Sequence, residues 1–152
     1  MVEVALGFGA PILGRAQAAK IPTGLGADTV VSGPGDMFSL MRAAYVLERL
    51  TSGFTTHDAL RAATVDGGRV TGLDVGTLGV GRPADIVLLR TDLLGMSPAN
   101  DPVASVVLAA DTRAVDTVLV AGNIVKQNGQ LTNHTVSSVL AKLAESAGRI
   151  LA

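Results

Sequence analysis

The chain has 152 residues, a common size for one domain. It carries 12 Lys and Arg against 13 Asp and Glu, for a net charge of −1, and no cysteine. That balance, without a basic run, argues against a nucleic-acid partner, and the missing thiols exclude disulfides, Cys-held metal and a Cys nucleophile. Only 16% of residues are charged while 48% are hydrophobic, with a mean hydropathy of +0.45. An average globular chain is about 25% charged, so burial of part of this surface against a partner is expected. Gly, Pro or charge breaks every apolar run before ~18 residues, so no membrane span is expected. The first residues lack a basic leader, and a cytoplasmic protein is expected.

Residues 1–10 are apolar apart from Glu3 and turn at Gly7-Phe8-Gly9. Pro11 suits the first turn of a helix running to Lys20, which Ile21-Pro22 ends. Residues 23–27 are small and apolar and read as a buried strand, closing on Asp28; Gly33-Pro34-Gly35 is a turn. Asp36 is a good N-cap for a helix whose stripe holds Met37, Leu40, Met41, Ala44, Leu47 and Leu50. Arg42, Glu48 and Arg49 fall mostly off that stripe, and Gly53 ends it. Thr55-Thr56-His57-Asp58 resembles a capping box for a helix through Ala63, which Gly67-Gly68 interrupts before a further turn to Thr71.

The character changes at Leu73. Residues 76–85 are turn-rich and Ile86 to Arg90 is a β-run. Val103 to Ala109 fits helix or strand, with Pro102 favouring helix. Asp116–Val120 and Asn123–Lys126 read as strands across an Ala121-Gly122 turn, and Asn128-Gly129 is the favoured pair for a type I′ hairpin returning through Gln130-Leu131. Thr135 then caps a last helix with Val136, Val139, Leu140, Leu143, Ala144, Ala147 and Leu151 on one face. Two parts follow, 1–72 and 73–152. The glycines at 24 and 26 do not complete a dinucleotide fingerprint, and no phosphate-loop motif is present.

Three segments carry a resemblance. Leu25-Gly26-Ala27-Asp28-Thr29 with Pro34-Gly35-Asp36-Met37-Phe38 and Met41-Arg42 resembles the last barrel strand of the amidohydrolase superfamily, in the branch of cytosine-deaminase-like, guanine-deaminase-like and triazine-hydrolase enzymes. Gly72-Leu73-Asp74 with residues 76–87 is similar to that family's Gly-x-Leu-x-x-Gly-Lys-x-Ala-Asp signature, with Arg82 where Lys is usual. Residues 115–129 are similar to its closing hairpin. The resemblance implies an α/β fold: the C-terminal part of a metal-dependent (β/α)8 barrel over 1–72, then a small β-sandwich module and a C-terminal helix over 73–152.

The resemblance also implies hydrolytic deamination, or related C–N or C–halide hydrolysis, of an N-heterocyclic small molecule. A divalent metal, zinc or else iron, would be held by a His-x-His, two later histidines and an Asp. Asp28 is the counterpart of that Asp, with the implied roles of metal ligand and catalytic proton carrier; read from the local sequence alone, its plainer alternative is a turn acid capping the loop or the next helix. His57 and His134 stand outside any ligand motif and are expected to be exposed. Glu3, Thr29 and Ser32 are candidate substrate-lining positions, each with the plainer alternative of an ordinary terminal or loop residue. Asp85 reads as a structural turn residue. One carboxylate cannot hold zinc where catalytic sites use about three protein ligands, so the chain reads as the C-terminal fragment of such an enzyme, inactive and metal-free alone. It is expected to form a homo-oligomer or to join the missing barrel portion. The alternative is a non-catalytic, self-associating or partner-binding domain.

Overall fold

The computed structural model describes residues 2–29 and 31–151. In order they form α1 (Val2–Ala5), α2 (Leu13–Ala18), α3 (Met37–Ser52), α4 (Thr56–Ala63), α5 (Val65–Thr71), β1 (Ile86–Leu89) and α6 (Pro102–Ala104). A π-helical turn (Ser105–Ala109), β2 (Val115–Val120), β3 (Asn123–Gln127), β4 (Gln130–Leu131) and α7 (Val136–Leu151) follow.

The helix signals act locally as their chemistry requires. The Asp36 carboxylate accepts from the Ser39 N–H at 2.9 Å and opens α3, and Gly53, at φ +70°, closes it. Thr55 and Asp58 make both halves of a capping box on α4. After α2, the Ile21 N–H reaches the Ala16 carbonyl and the Lys20 N–H the Gln17 carbonyl, a Schellman ending with Lys20 in the left-handed position.

Three expectations in this half are corrected. Gly67 and Gly68 lie inside α5; the break falls at Thr64, whose hydroxyl donates back to the Leu60 carbonyl. On α3 the buried residues are Leu40, Met41, Ala44 and Glu48, whereas Leu50 is 91% exposed. At about 100° per residue, seven positions bring Glu48 back beside Met41 and nine carry Leu50 to the opposite face. Residues 23–27 do not form a strand: among the described residues their backbone pairs with no other strand.

The second half contains one antiparallel sheet in the order β1-β2-β3-β4, with Val118 facing Val87 on one side and Lys126 on the other. Ala121-Gly122 and Asn128-Gly129 both carry two positive φ angles, the type I′ geometry that matches the twist of the strands they join. Asp85 ties the sheet end as expected, its Oδ1 accepting from the Ala121 N–H at 2.7 Å. The described residues form no second sheet facing this one. Residues 103–109 resolve to helix, because Asp101 caps Ala104 and Pro102 takes the first turn.

The core lies between α3, α4 and the π-helical turn, where Met41, Ala44, Phe54, Ala59 and Val107 pack with Leu13, Leu25 and Tyr45. Phe38 extends it to Met96, Ala110 and Ala114. Arg42 joins the two halves by donating to the carbonyls of Leu108 at 2.9 Å and Ala110 at 2.7 Å. These carbonyls end the π-helical turn, where backbone acceptors lack intrahelical partners. No residue of α7 is buried.

Candidate active site

The candidate site grows out of the unpaired segment. Along 23–29 burial alternates: Thr23, Leu25, Ala27 and Thr29 are half-buried, and Gly24, Gly26 and Asp28 are exposed. That two-residue period belongs to a strand with one face on a core, and Leu25 does pack on the core cluster. The backbone is held to α4 by the Leu25 N–H on the Ala62 carbonyl at 3.2 Å. Gly24 passes so close to α5 that a Cβ would sit 3.0 Å from the Gly67 Cα, so a side chain there would push the segment off the helices. Cavities of about 380 and 670 Å³ flank residues 24–26, one toward α2 and α3 and one toward α4 and α5. The segment therefore has strand alternation and open space beside it, and it lacks only the neighbouring strands whose N–H and C=O groups would complete a ladder.

Asp28 ends this segment, exposed, with φ +53°. Asp is one of the few side chains that visits the left-handed region readily. The chain turns at once: the Thr29 hydroxyl accepts from the Val31 N–H at 3.3 Å and the Ser32 N–H donates to the Thr29 carbonyl at 3.1 Å. Thr29 and Ser32, both half-buried, thus share one turn with Asp28, and the Thr29 hydroxyl already serves that turn. The expectation at Glu3 falls on a side chain outside the described residues. Asp36 follows as the α3 cap; the Ser39 N–H and hydroxyl hold its carboxyl below the usual carboxylate range, the backbone bond being the larger cause.

His57, on the first turn of α4, and His134, before α7, are exposed. Among the described residues no three His, Cys, Asp or Glu side chains gather in a cluster that could hold a metal ion. The donor set for a catalytic metal is therefore not met by the described residues; Asp28 offers one carboxylate where about three protein ligands are the rule. No described helix is long and apolar enough to cross a membrane.

Sequence reasoning missed Glu48. It was set off the α3 stripe, yet it is 1% exposed and its Oε1 has no hydrogen-bond partner. The signal was available in the spacing, since positions 41, 44 and 48 lie on one helix face.

The model of the amidohydrolase family matches residues 9–125. The 5-methylthioadenosine/S-adenosylhomocysteine deaminase of Pelotomaculum thermopropionicum is 33% identical over 148 residues, covering 93% of this chain and 34% of that protein. A zinc-bound adenosine deaminase from Xanthomonas campestris superposes with a TM-score of 0.91 at 26% identity, over 98% of this chain and 36% of its own. The zinc complex of atrazine chlorohydrolase from Arthrobacter aurescens shares the fold at a TM-score of 0.85 and 22% identity, over 95% of this chain and 34% of its own. The chain thus spans about a third of the length of the relatives it matches. With the family model matching residues 9–125, most of its length, the chain belongs to the amidohydrolase family.

Proposed function

We propose that this chain supplies Asp28 to a hydrolytic deaminase whose active site is completed by further polypeptide. The observation that carries the reading is Asp28 itself: an exposed carboxylate in a left-handed bend, at the end of a strand-like segment with open space beside it. The ends of barrel strands are where such folds keep catalytic groups. The relatives supply the reaction class, since the Pelotomaculum and Xanthomonas proteins are named as deaminases of adenine nucleosides. The substrate class is a small N-heterocycle bearing an exocyclic amine, a 6-aminopurine nucleoside in the first instance. In the reaction, water adds to the ring carbon carrying the amine, the C–N bond breaks, and ammonia leaves. Asp28 takes a proton from the attacking water and returns it to the departing amine, a general acid–base role worth about 10²–10⁴-fold in rate. The bend it caps, with Thr29 and Ser32, faces the same substrate.

Asp28 alone does not make a metal site; beside ligands from the completing polypeptide it would also be one ligand of a divalent metal, which when bound would supply a more acidic water. Residues 1–72 act as the barrel portion and 73–152 as the sandwich portion with its closing helix. A cysteine-free chain suits the cytoplasm.

The test is co-expression with the roughly two thirds of the Pelotomaculum deaminase that have no counterpart in this chain. Ammonia release from 5′-methylthioadenosine or adenosine is expected from the pair and absent from either part alone. Asp28→Asn in the pair should lower it by at least about 10²-fold. Activity that survives Asp28→Asn, or a pair that releases no ammonia, overturns the reading. A second reading, self-association without catalysis, has the bare apolar face of α7 in its favour: Val136, Val139, Leu140 and Leu143 are all at least half exposed. Sedimentation of the chain alone tests it.

A further inference from the structure

A cavity of about 320 Å³ lies between the end of α2, residues 20–23, α4 and α5. Thr23 lines it, at the opposite end of the strand-like segment from Asp28. Its charged groups are Lys20, Arg61 and Arg69 against Asp58 and Asp66. Positions 58 and 61 share one face of α4, and 66 and 69 share one face of α5, because each pair is three residues apart.

The two guanidiniums are held in place from below. Asp66 is 8% exposed, and its Oδ1 accepts from Arg61 Nη2 at 3.1 Å and from Arg69 Nη1 at 3.3 Å, while Oδ2 accepts from Arg61 Nε at 3.4 Å. Two nitrogens on one oxygen can be no farther apart than those two bonds laid end to end, a gap that one tetrahedral oxyanion spans. Of the five N–H donors on each guanidinium, Asp66 takes two from Arg61 and one from Arg69, so donors are left over on both. Both arginine side chains are more than half exposed, so those donors are within reach of a ligand. Asp66 is thus occupied by the pair, and Asp58 Oδ2 accepts from the N–H and hydroxyl of Thr55 in the α4 cap. Among the described side chains no carboxylate forms an ion pair with Lys20.

We propose that this cavity binds the phosphate group of a small phosphomonoester. Arg61 and Arg69 donate side by side to its oxygens, and Lys20 adds a point charge from the α2 wall. Guanidinium forks suit paired bonds to phosphate oxygens, and a buried carboxylate that fixes two of them removes much of the cost of ordering them. The volume is at the lower end of small-molecule sites, about 300–1,000 Å³, and leaves room beyond the phosphate itself. Gln17 offers an amide and Ile21 and Pro22 an apolar surface to the esterified part. The chain as a whole carries a charge of −1, so it has no general attraction for anions and the binding is local. The inference concerns this chain alone and does not depend on the deaminase reading, in which Asp28 acts.

Calorimetric titration of the chain at low ionic strength tests it, with inorganic phosphate, adenosine 5′-monophosphate and adenosine as probes. One phosphate or one monophosphate per chain is expected, the monophosphate the tighter of the two and at least about tenfold tighter than adenosine. Arg61→Gln and Arg69→Gln should each weaken monophosphate binding at least about tenfold, the loss of one charge-assisted bond. Lys20→Gln, which breaks no ion pair among the described side chains, should weaken it roughly two- to fivefold. Arg113→Gln removes another exposed arginine paired to an aspartate, outside this cavity, and should leave binding unchanged. No saturable binding, or equal losses at Arg113 and Arg69, would mean that the arginines only clamp α4 to α5, and would overturn the proposal. A lowered Tm with unchanged affinity in Arg69→Gln would overturn it as well. Free phosphate bound more tightly than the monophosphate would contradict the ester, and adenosine bound as tightly as its monophosphate would contradict the phosphate contact.

Discussion

Helices α3 and α7 are each 16 residues long, and each carries an apolar stripe at three- and four-residue spacing. The first buries Leu40, Met41 and Ala44 against α4 and the π-helical turn; the second buries nothing. The same pattern thus has two outcomes, and the difference lies in what else the chain brings near. An amphipathic stripe says that a face needs cover, and it does not name the cover. The unpaired segment and β2 repeat the lesson for strands. Residues 23–27 alternate in burial and have cavities beside them, whereas β2 shows no two-residue burial period and is a strand because β1 and β3 pair with it.

The sharpest way to break this comparison is truncation on each side of it. Phe54→Ala, at a site 3% exposed in the α3–α4 core, is expected to cost about 3–5 kcal/mol in urea unfolding. Leu140→Ala on α7, at 57% exposure, should change stability by less than about 0.5 kcal/mol in the isolated chain. Comparable losses at both would mean that α7 packs on this chain after all. Next in size is the tie between the halves. Arg42→Ala leaves the Leu108 and Ala110 carbonyls without their donor and should cost about 1.5–3 kcal/mol by the same measurement. An effect confined to the first half, seen by hydrogen exchange, would show that the halves are not coupled through Arg42.

The smallest effect belongs to the α3 cap. Asp36→Ala should cost about 1 kcal/mol at pH 7. The Asp36 carboxyl titrates lower in the folded chain than in the unfolded one because the Ser39 N–H and hydroxyl stabilise its anion. Its contribution is therefore complete above the unfolded value of about 3.9 and is lost as pH falls through the lower folded value. Urea midpoints of wild type and Asp36→Ala should converge as pH falls below about 3.9; a constant gap would contradict the cap assignment.

Much of the fold was legible because its signals are local. Asp36, the Thr55–Asp58 box, Asn128-Gly129 and Asp85 each act within a few residues or across one turn, and each does what its chemistry predicts. The ambiguity at 103–109 also had a local answer in the Asp101 cap. What was not legible depends on distant partners. The segment at 23–27 reads as a buried strand from its small, apolar composition, but a strand exists only when another backbone pairs with it. Glu48 differs: its charge suggests an exposed position, while its helical phase, seven residues after Met41, puts it on the buried face. The candidate site was legible only at Asp28, through a resemblance carried by neighbouring residues; its turn partners Thr29 and Ser32 are ordinary loop chemistry until a substrate is placed on them.

The central claim is that Asp28 belongs to a site this chain only partly contains. Zinc content after gel filtration in metal-buffered solution measures this directly, for the chain alone, for its complex with the unmatched part of the Pelotomaculum deaminase, and for the Asp28→Asn complex. The account predicts no retained zinc in the chain alone, stoichiometric zinc in the complex, and clear loss of zinc on Asp28→Asn. Stoichiometric zinc in the chain alone, or zinc retention indifferent to Asp28→Asn, would contradict it.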